Sequence, residues 1–213
     1  TYFGLVFEWY KALRSLGLSL DIVPAGKPDL TGYKLVVAPG LMHMPDPLKA
    51  ALSSCAAQVV FGPRSGARDV DMSMPVPLPP AMPGLDVTVT HVESLRPDMP
   101  VGLQGGGCLH LYREALHGAA DVEERSVDGA PVIMGSDRLS YVGAWLDQNA
   151  LRRLIKRKCA AAGIATMDLP DGVRVRDCAE ERFWFNYNAE PVVVDGRTLD
   201  AAGVHRQSLT DLE

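Results

Sequence analysis

The 213-residue chain lacks the features that mark a disulfide framework, a nucleic-acid partner or a membrane span. It has only four cysteines, Cys55, Cys108, Cys159 and Cys178, and no two are spaced as C-x-x-C. Scattered thiols of this kind fit a reducing, cytoplasmic compartment better than a disulfide scaffold. Basic residues (21) are outnumbered by acidic ones (26), giving a net charge of -5. Aromatic residues make up 7% of the chain and do not interleave with its basic run. A single-stranded nucleic-acid binder needs that interleaving or net basicity, so neither nucleic acid nor an anionic membrane is an expected partner. No apolar run approaches the ~18 residues of a membrane-spanning helix. The opening Thr1-Tyr-Phe-Gly shows no charged stretch before an apolar core, which predicts no signal peptide. It reads as a chain cut from something longer. What is present is 47% hydrophobic residues with sixteen prolines and twenty glycines, the balance of a strand- and loop-rich globular fold.

Residues 3–16 have a helical pattern closed by Gly17, with one narrow polar stripe at Gly4, Glu8, Lys11 and Ser15. The rest of that helix is nearly all apolar. Phe3, Phe7, Trp9, Tyr10 and Leu13 do not fit one ~100° stripe, so the pattern predicts a bare apolar face, Trp9 included, unless a partner covers it. Residues 18–23 alternate as a strand. Residues 34–39 and 58–61 are short apolar runs of the buried parallel kind, with a helix over 45–57 between them. Further expectations are a strand over 87–92, a short helix over 109–116, a hairpin of 122–127 and 131–134 around Asp128-Gly129, a strand over 139–143, and a helix from Asp147 to Ala162. The alternation predicts an α/β domain over residues 1–166 with a mostly parallel sheet. From residue 167 to 213 the helical period vanishes, and three short runs predict a small antiparallel β domain.

Few residues suggest chemistry. Cys108, in Gly105-Gly-Gly-Cys-Leu-His110, could be a thiolate nucleophile on a tight turn, as in amidotransferase elbows. The lead-in Met99-Pro-Val-Gly-Leu-Gln is a poor buried strand and His110 is large, so a half-buried thiol in a glycine loop is the favoured reading. The elbow position of such folds follows the strand at 58–61 and reads Gly62-Pro-Arg-Ser-Gly66, without a cysteine. Ser65 is a poor nucleophile there, and Arg64 reads as a structural or interface cation. His43, His91, His110, His117 and His205 form no cluster, and no metal-ligand spacing occurs, so no metal or cofactor is expected. Arg152, Arg153, Lys156, Arg157 and Lys158 read as the solvated face of a helix. Pro77-x-x-Pro80 fits an SH3-type ligand, with a stiff connecting loop as the default.

Several stretches together resemble the C-terminal part of glycoside hydrolase family 42 β-galactosidases. They are Trp9-Tyr-Lys-Ala-Leu-Arg-Ser-Leu-Gly17 with Leu20-Asp-Ile-Val, Leu30-Thr-Gly-Tyr-Lys-Leu-Val-Val-Ala-Pro39, and the Pro63-Arg-Ser-Gly66 turn. Near the end stand Ser140-Tyr-Val-Gly143, Leu169-Pro-Asp-Gly-Val173 and Phe183-Trp-Phe-Asn-Tyr-Asn188. The resemblance implies a flavodoxin-like, class I glutamine amidotransferase-like trimerisation domain without the triad, then a small β domain. It also implies a TIM-barrel domain upstream in the same enzyme that carries both catalytic glutamates. No catalytic residue is therefore carried over onto this chain, and a homo-trimer is the expected assembly. The family has a strand before the first helix, which would fall upstream of Thr1. The alternatives are an amidotransferase-like enzyme using Cys108 and a free-standing sugar-binding module.

Overall fold

The computed structural model describes residues 1–209. The first half of the chain forms helix α1 (Tyr2–Ser15), strand β1 (Leu35–Ala38), helix α2 (Asp46–Ser54), strands β2 (Gln58–Phe61), β3 (Thr88–Ser94), β4 (Val101–Gly102) and β5 (Cys108–His117). There follow β6 (Asp121–Arg125), β7 (Pro131–Ser136), β8 (Leu139–Val142), β9 (Ala144–Leu146) and helix α3 (Gln148–Ala161). The chain closes with β10 (Val173–Cys178), β11 (Glu181–Asn186), β12 (Val192–Val194), β13 (Arg197–Leu199) and β14 (Val204–Ser208). Two compact units result. One joins Thr1–Trp9 to Val23–Ile164, and the other joins Tyr10–Ile22 to the chain from Ala165 onward.

The first unit holds a five-stranded sheet in the order β1-β2-β8-β7-β6 and an antiparallel sheet in which β5 pairs with β3, β4 and β9. Only β1, β2 and β8 run parallel. This corrects the expected flavodoxin-like, amidotransferase-like α/β fold with a mostly parallel sheet: strand takes 35% of the chain and helix 18%, in mixed and antiparallel sheets. The physical reason lies in the connections. Only Asp137 and Arg138 separate β7 from β8, and a two-residue link makes a hairpin, since a parallel return needs a crossover of a dozen or more residues. Asp137 accepts the left-handed backbone of that turn (φ 47°), and Gly129 (φ 89°) does so between β6 and β7.

Residues 108–117 correct a second expectation. Leu109, Tyr112 and Leu116 stand at i, i+3 and i+7, which imitates a helix face, yet the segment is the ten-residue strand β5. Leu111 adopts φ 64°, and the pairing of β5 with β9 shifts register between Leu109 and Arg113. That irregularity breaks the two-residue alternation by which the strand would be recognised. Residues 18–23 form no strand in the described structure, and Ile22 is 93% exposed.

Val59 and Phe61 of β2 pack with Leu48 and Leu52 of α2, Met82, Val89, Leu116, Met134 and Tyr141 in one apolar core. Helix α3 starts where the Asp147 carboxylate accepts the Ala150 N–H at 2.8 Å, satisfying one of the helix's open donors. It stops at Gly163 (φ 63°), with Ile164 N–H returning to the Cys159 carbonyl. In α1, Trp9 is only 2% exposed, whereas Tyr2, Phe3, Phe7 and Tyr10 lie open. The bare face exists, but it does not include Trp9.

In the second unit, β10-β11-β14 form an antiparallel sheet beside the β12–β13 hairpin. Leu169, Val173, Val175, Trp184, Val194 and Leu199 fill its core. The buried Asn186 amide donates to the carbonyls of Glu190 (2.9 Å) and Asp200 (2.9 Å), tying the two pieces together.

Candidate functional site

The turn after β2 is where a hydrolase elbow would place its nucleophile. Gly62 can occupy it because an added Cβ would meet the Pro39 backbone at 2.8 Å, so two turns press together there. Arg64 takes the left-handed conformation, φ 68°, and its guanidinium lies 4.5 Å from the centre of the Tyr112 ring. Ser65 is fully buried, and its hydroxyl donates to the Ala38 (3.0 Å) and Gly62 (2.8 Å) carbonyls. It staples the turn to β1. A side chain so enclosed has no route to a substrate.

Beneath the turn is a carboxylate absent from the sequence reading. Glu114 of β5 is 2% exposed and accepts three hydrogen bonds: Arg64 N–H (2.9 Å), Tyr112 O–H (2.9 Å) and Tyr141 O–H (2.8 Å). Burial pushes its carboxyl above the ordinary 4.5, against the pull of the two phenols and Arg64. Both phenols are raised as well, first by burial and then by the charge of Glu114. With every oxygen occupied by this protein's own donors, Glu114 anchors the turn and has no face left for a reactant. Fifty residues separate it from Arg64, and the helical imitation over 109–116 hid its inward placement, so spacing gave no signal.

Cys108 opens β5 with its sulfur 3.4 Å from the Asp147 carboxylate. Burial, then that carboxylate, raises the thiol above its ordinary range, the reverse of what a thiolate nucleophile needs. His110 lies beside Trp145, ring centres 6.0 Å apart. His43 is near the Arg68 carbonyl and His91 faces Glu93 at 4.0 Å. Among the described residues, no three His, Cys, Asp or Glu side chains are placed to hold a metal.

The basic run of α3 is not simply a solvated face. Lys158 is buried and meets Glu123 at 2.8 Å, with Arg157 on the other oxygen at 2.8 Å. Ser140 O–H also donates to Glu123. Arg153 pairs with the buried Glu124 and reaches the Gly106 carbonyl. Burial works to raise Glu123, but the hydrogen bonds from Lys158 and Ser140 together with the charges of Lys158 and Arg157 leave it below the usual carboxylate range. These pairs bind α3 to the β6 edge.

The open surface includes one dense apolar stretch. The Pro-rich segment after Arg68 exposes Val70, Met72, Met74, Val76 and Leu78, and no helix among the described residues is long and apolar enough to cross a membrane. A surface of this kind suits contact with another protein better than catalysis.

The comparisons with known proteins point the same way. Residues 1–165 match the beta-galactosidase trimerisation domain family. A beta-galactosidase of Thermus thermophilus is 34% identical over 197 residues, taking in 90% of this chain and 30% of the relative. Another, from Halorubrum lacusprofundi, is 28% identical over 204 residues, covering 82% of this chain and 29% of its own length. The chain thus spans about a third of the length of the curated relatives it matches. The crystal structure of beta-galactosidase from the psychrophilic Marinomonas ef1 superposes with a TM-score of 0.91 at 31% identity, over 97% of this chain and 34% of that one. That from Halorubrum lacusprofundi gives 0.88 at 24% identity, a likeness of fold. With more than three quarters of its length matched by the family, the chain belongs to the beta-galactosidase trimerisation domains.

Proposed function

We propose that this chain is the non-catalytic assembly region of a β-galactosidase, which holds three copies together and shapes the mouth of an active site carried upstream. In that reading the parent hydrolyses terminal β-D-galactosides in the cytoplasm. Its acid/base and nucleophilic carboxylates belong to a TIM-barrel domain of the same polypeptide. Residues 1–166 carry the assembly role, and the chain from residue 167 onward adds a small β module whose compact unit also takes in Tyr10–Ile22. The supporting observation is the one-sidedness of the match: nearly all of this chain aligns with about a third of each relative. The turn after β2 agrees, because Arg64 stands where an elbow nucleophile would and Ser65 is sealed beneath it.

A chromogenic β-galactoside tests this. Residues 1–213 alone should give no turnover above buffer, and the full-length parent should give turnover. Activity that stays with the 1–213 protein through successive columns would overturn the reading.

A further inference from the structure

The segment between Arg68 and Pro79 is an apolar protrusion held at both ends. At its start the Asp69 carboxylate accepts the N–H groups of Asp71 (3.0 Å) and Ser73 (2.8 Å), while Asp69 N–H donates to the Ser73 carbonyl. At its end Val89 N–H meets the Pro79 carbonyl at 2.8 Å, Pro79 and Pro80 are buried, and Met82 and Leu85 sit in the core. Between these anchors every second residue is apolar and open: Val70 at 78%, Met72, Met74, Val76 at 94%, and Leu78. From Met72 to Pro80 the chain carries no charge. Holding five such side chains in water forfeits the gain from burying them, which gives the loop a reason to be covered.

We propose that residues 70–78 form the apolar centre of the contact between one copy of this chain and the next. The inference rests on the trimer reading above and names the surface that reading leaves open. Three copies around an axis meet through two unlike surfaces, so each copy must offer a feature that seats on its neighbour. A proline-rich protrusion whose only charge within 70–78 is Asp71, at its foot, fits that role. From Met72 to Leu78 a partner recognised by charge would find no complement.

The test uses the full-length parent. Light scattering should give three copies for the wild type. Met74→Glu with Val76→Glu should shift the mass toward one copy, raising the dissociation concentration on the order of a hundredfold. The unfolding midpoint of the separated subunit should not move. Ile22→Glu, at an equally open apolar site, should stay assembled. If the double variant assembles like wild type, the loop assignment falls and the trimer reading stands. If the wild type is a single copy at the same concentration, the trimer reading falls and takes the loop with it. A photo-cross-linker on Val76→Cys, in a Cys178→Ser background, gives a readout that does not need the double variant to fold. Links between isotopically distinct copies support the proposal, and links only within one copy overturn it.

Discussion

Glu114 is the residue on which the turn after β2 depends, because three donors converge on one buried carboxylate. Glu114→Ala would strand the Tyr141 hydroxyl and the Arg64 N–H and open a small void. The expected loss is about 2–4 kcal/mol, measurable by urea unfolding. Its raised carboxyl also gives stability a pH signature. The folded state holds this proton more tightly than the unfolded state, so the contribution is full below the ordinary 4.5 and is lost as pH climbs through the raised value. Glu114→Gln, which cannot ionise, should flatten that decline in unfolding midpoints taken from pH 4 upward, roughly the span set by a raised carboxyl. Cys108 supplies a second residue-scale expectation. Asp147→Asn keeps the cap on Ala150, since asparagine caps as well as aspartate, but removes the charge facing the thiol. Maleimide labelling of Cys108 at neutral pH should be slow in the wild type and faster in the variant. Fast labelling in the wild type would contradict the unactivated thiol.

The elements differ in how openly the sequence declares them. Runs such as Leu35–Ala38 and Gln58–Phe61 are legible as short, nearly unbroken apolar stretches of the parallel kind, although only Val59–Phe61 is buried throughout and the edge strand Leu35–Ala38 is half-buried. The β6–β7 hairpin was equally plain from Asp128-Gly129. Strand β5 was not, since its left-handed Leu111 and shifted register replaced alternation by a spacing that suits a helix. With β5 misread, the Arg64–Glu114–Tyr141 cluster could not be assembled, because its members lie on three elements joined only by tertiary folding. The sheet order was lost for a related reason: the direction of β7 is fixed by a two-residue link whose turn shows no glycine. The turn that supports Arg64 can be tested through Gly66 (φ 71°), where an added Cβ would meet the Pro80 carbonyl at 2.8 Å and Met44 at 2.9 Å. Gly66→Ala should lower stability by more than about 1 kcal/mol, seen as a lower urea midpoint. No loss would show that the turn can shift without cost.

On the scale of the whole molecule, α1 shows two kinds of aromatic residue. Trp9 is enclosed, so Trp9→Ala should cost about 3–5 kcal/mol and show in the unfolding midpoint. Phe3 and Phe7, their rings 6.4 Å apart and nearly parallel, stand open. Changing both to serine should cost little stability and reduce self-association of the 1–213 protein in sedimentation runs. Unchanged association would place the sticky surface elsewhere. The same helix has a genetic consequence. The second unit is not a cassette at the end of the gene, because it includes Tyr10–Ile22 as well as the chain from Ala165 onward. The carbonyls of Ser15 and Leu16 accept the N–H groups of Leu169 and Met167, and the Ser19 hydroxyl accepts Asp177 N–H. A recombination event with a single breakpoint before residue 165 would therefore deliver a sheet without part of its own scaffold. Moving this unit intact between proteins takes two breakpoints, or a circular permutation that first brings the two pieces together.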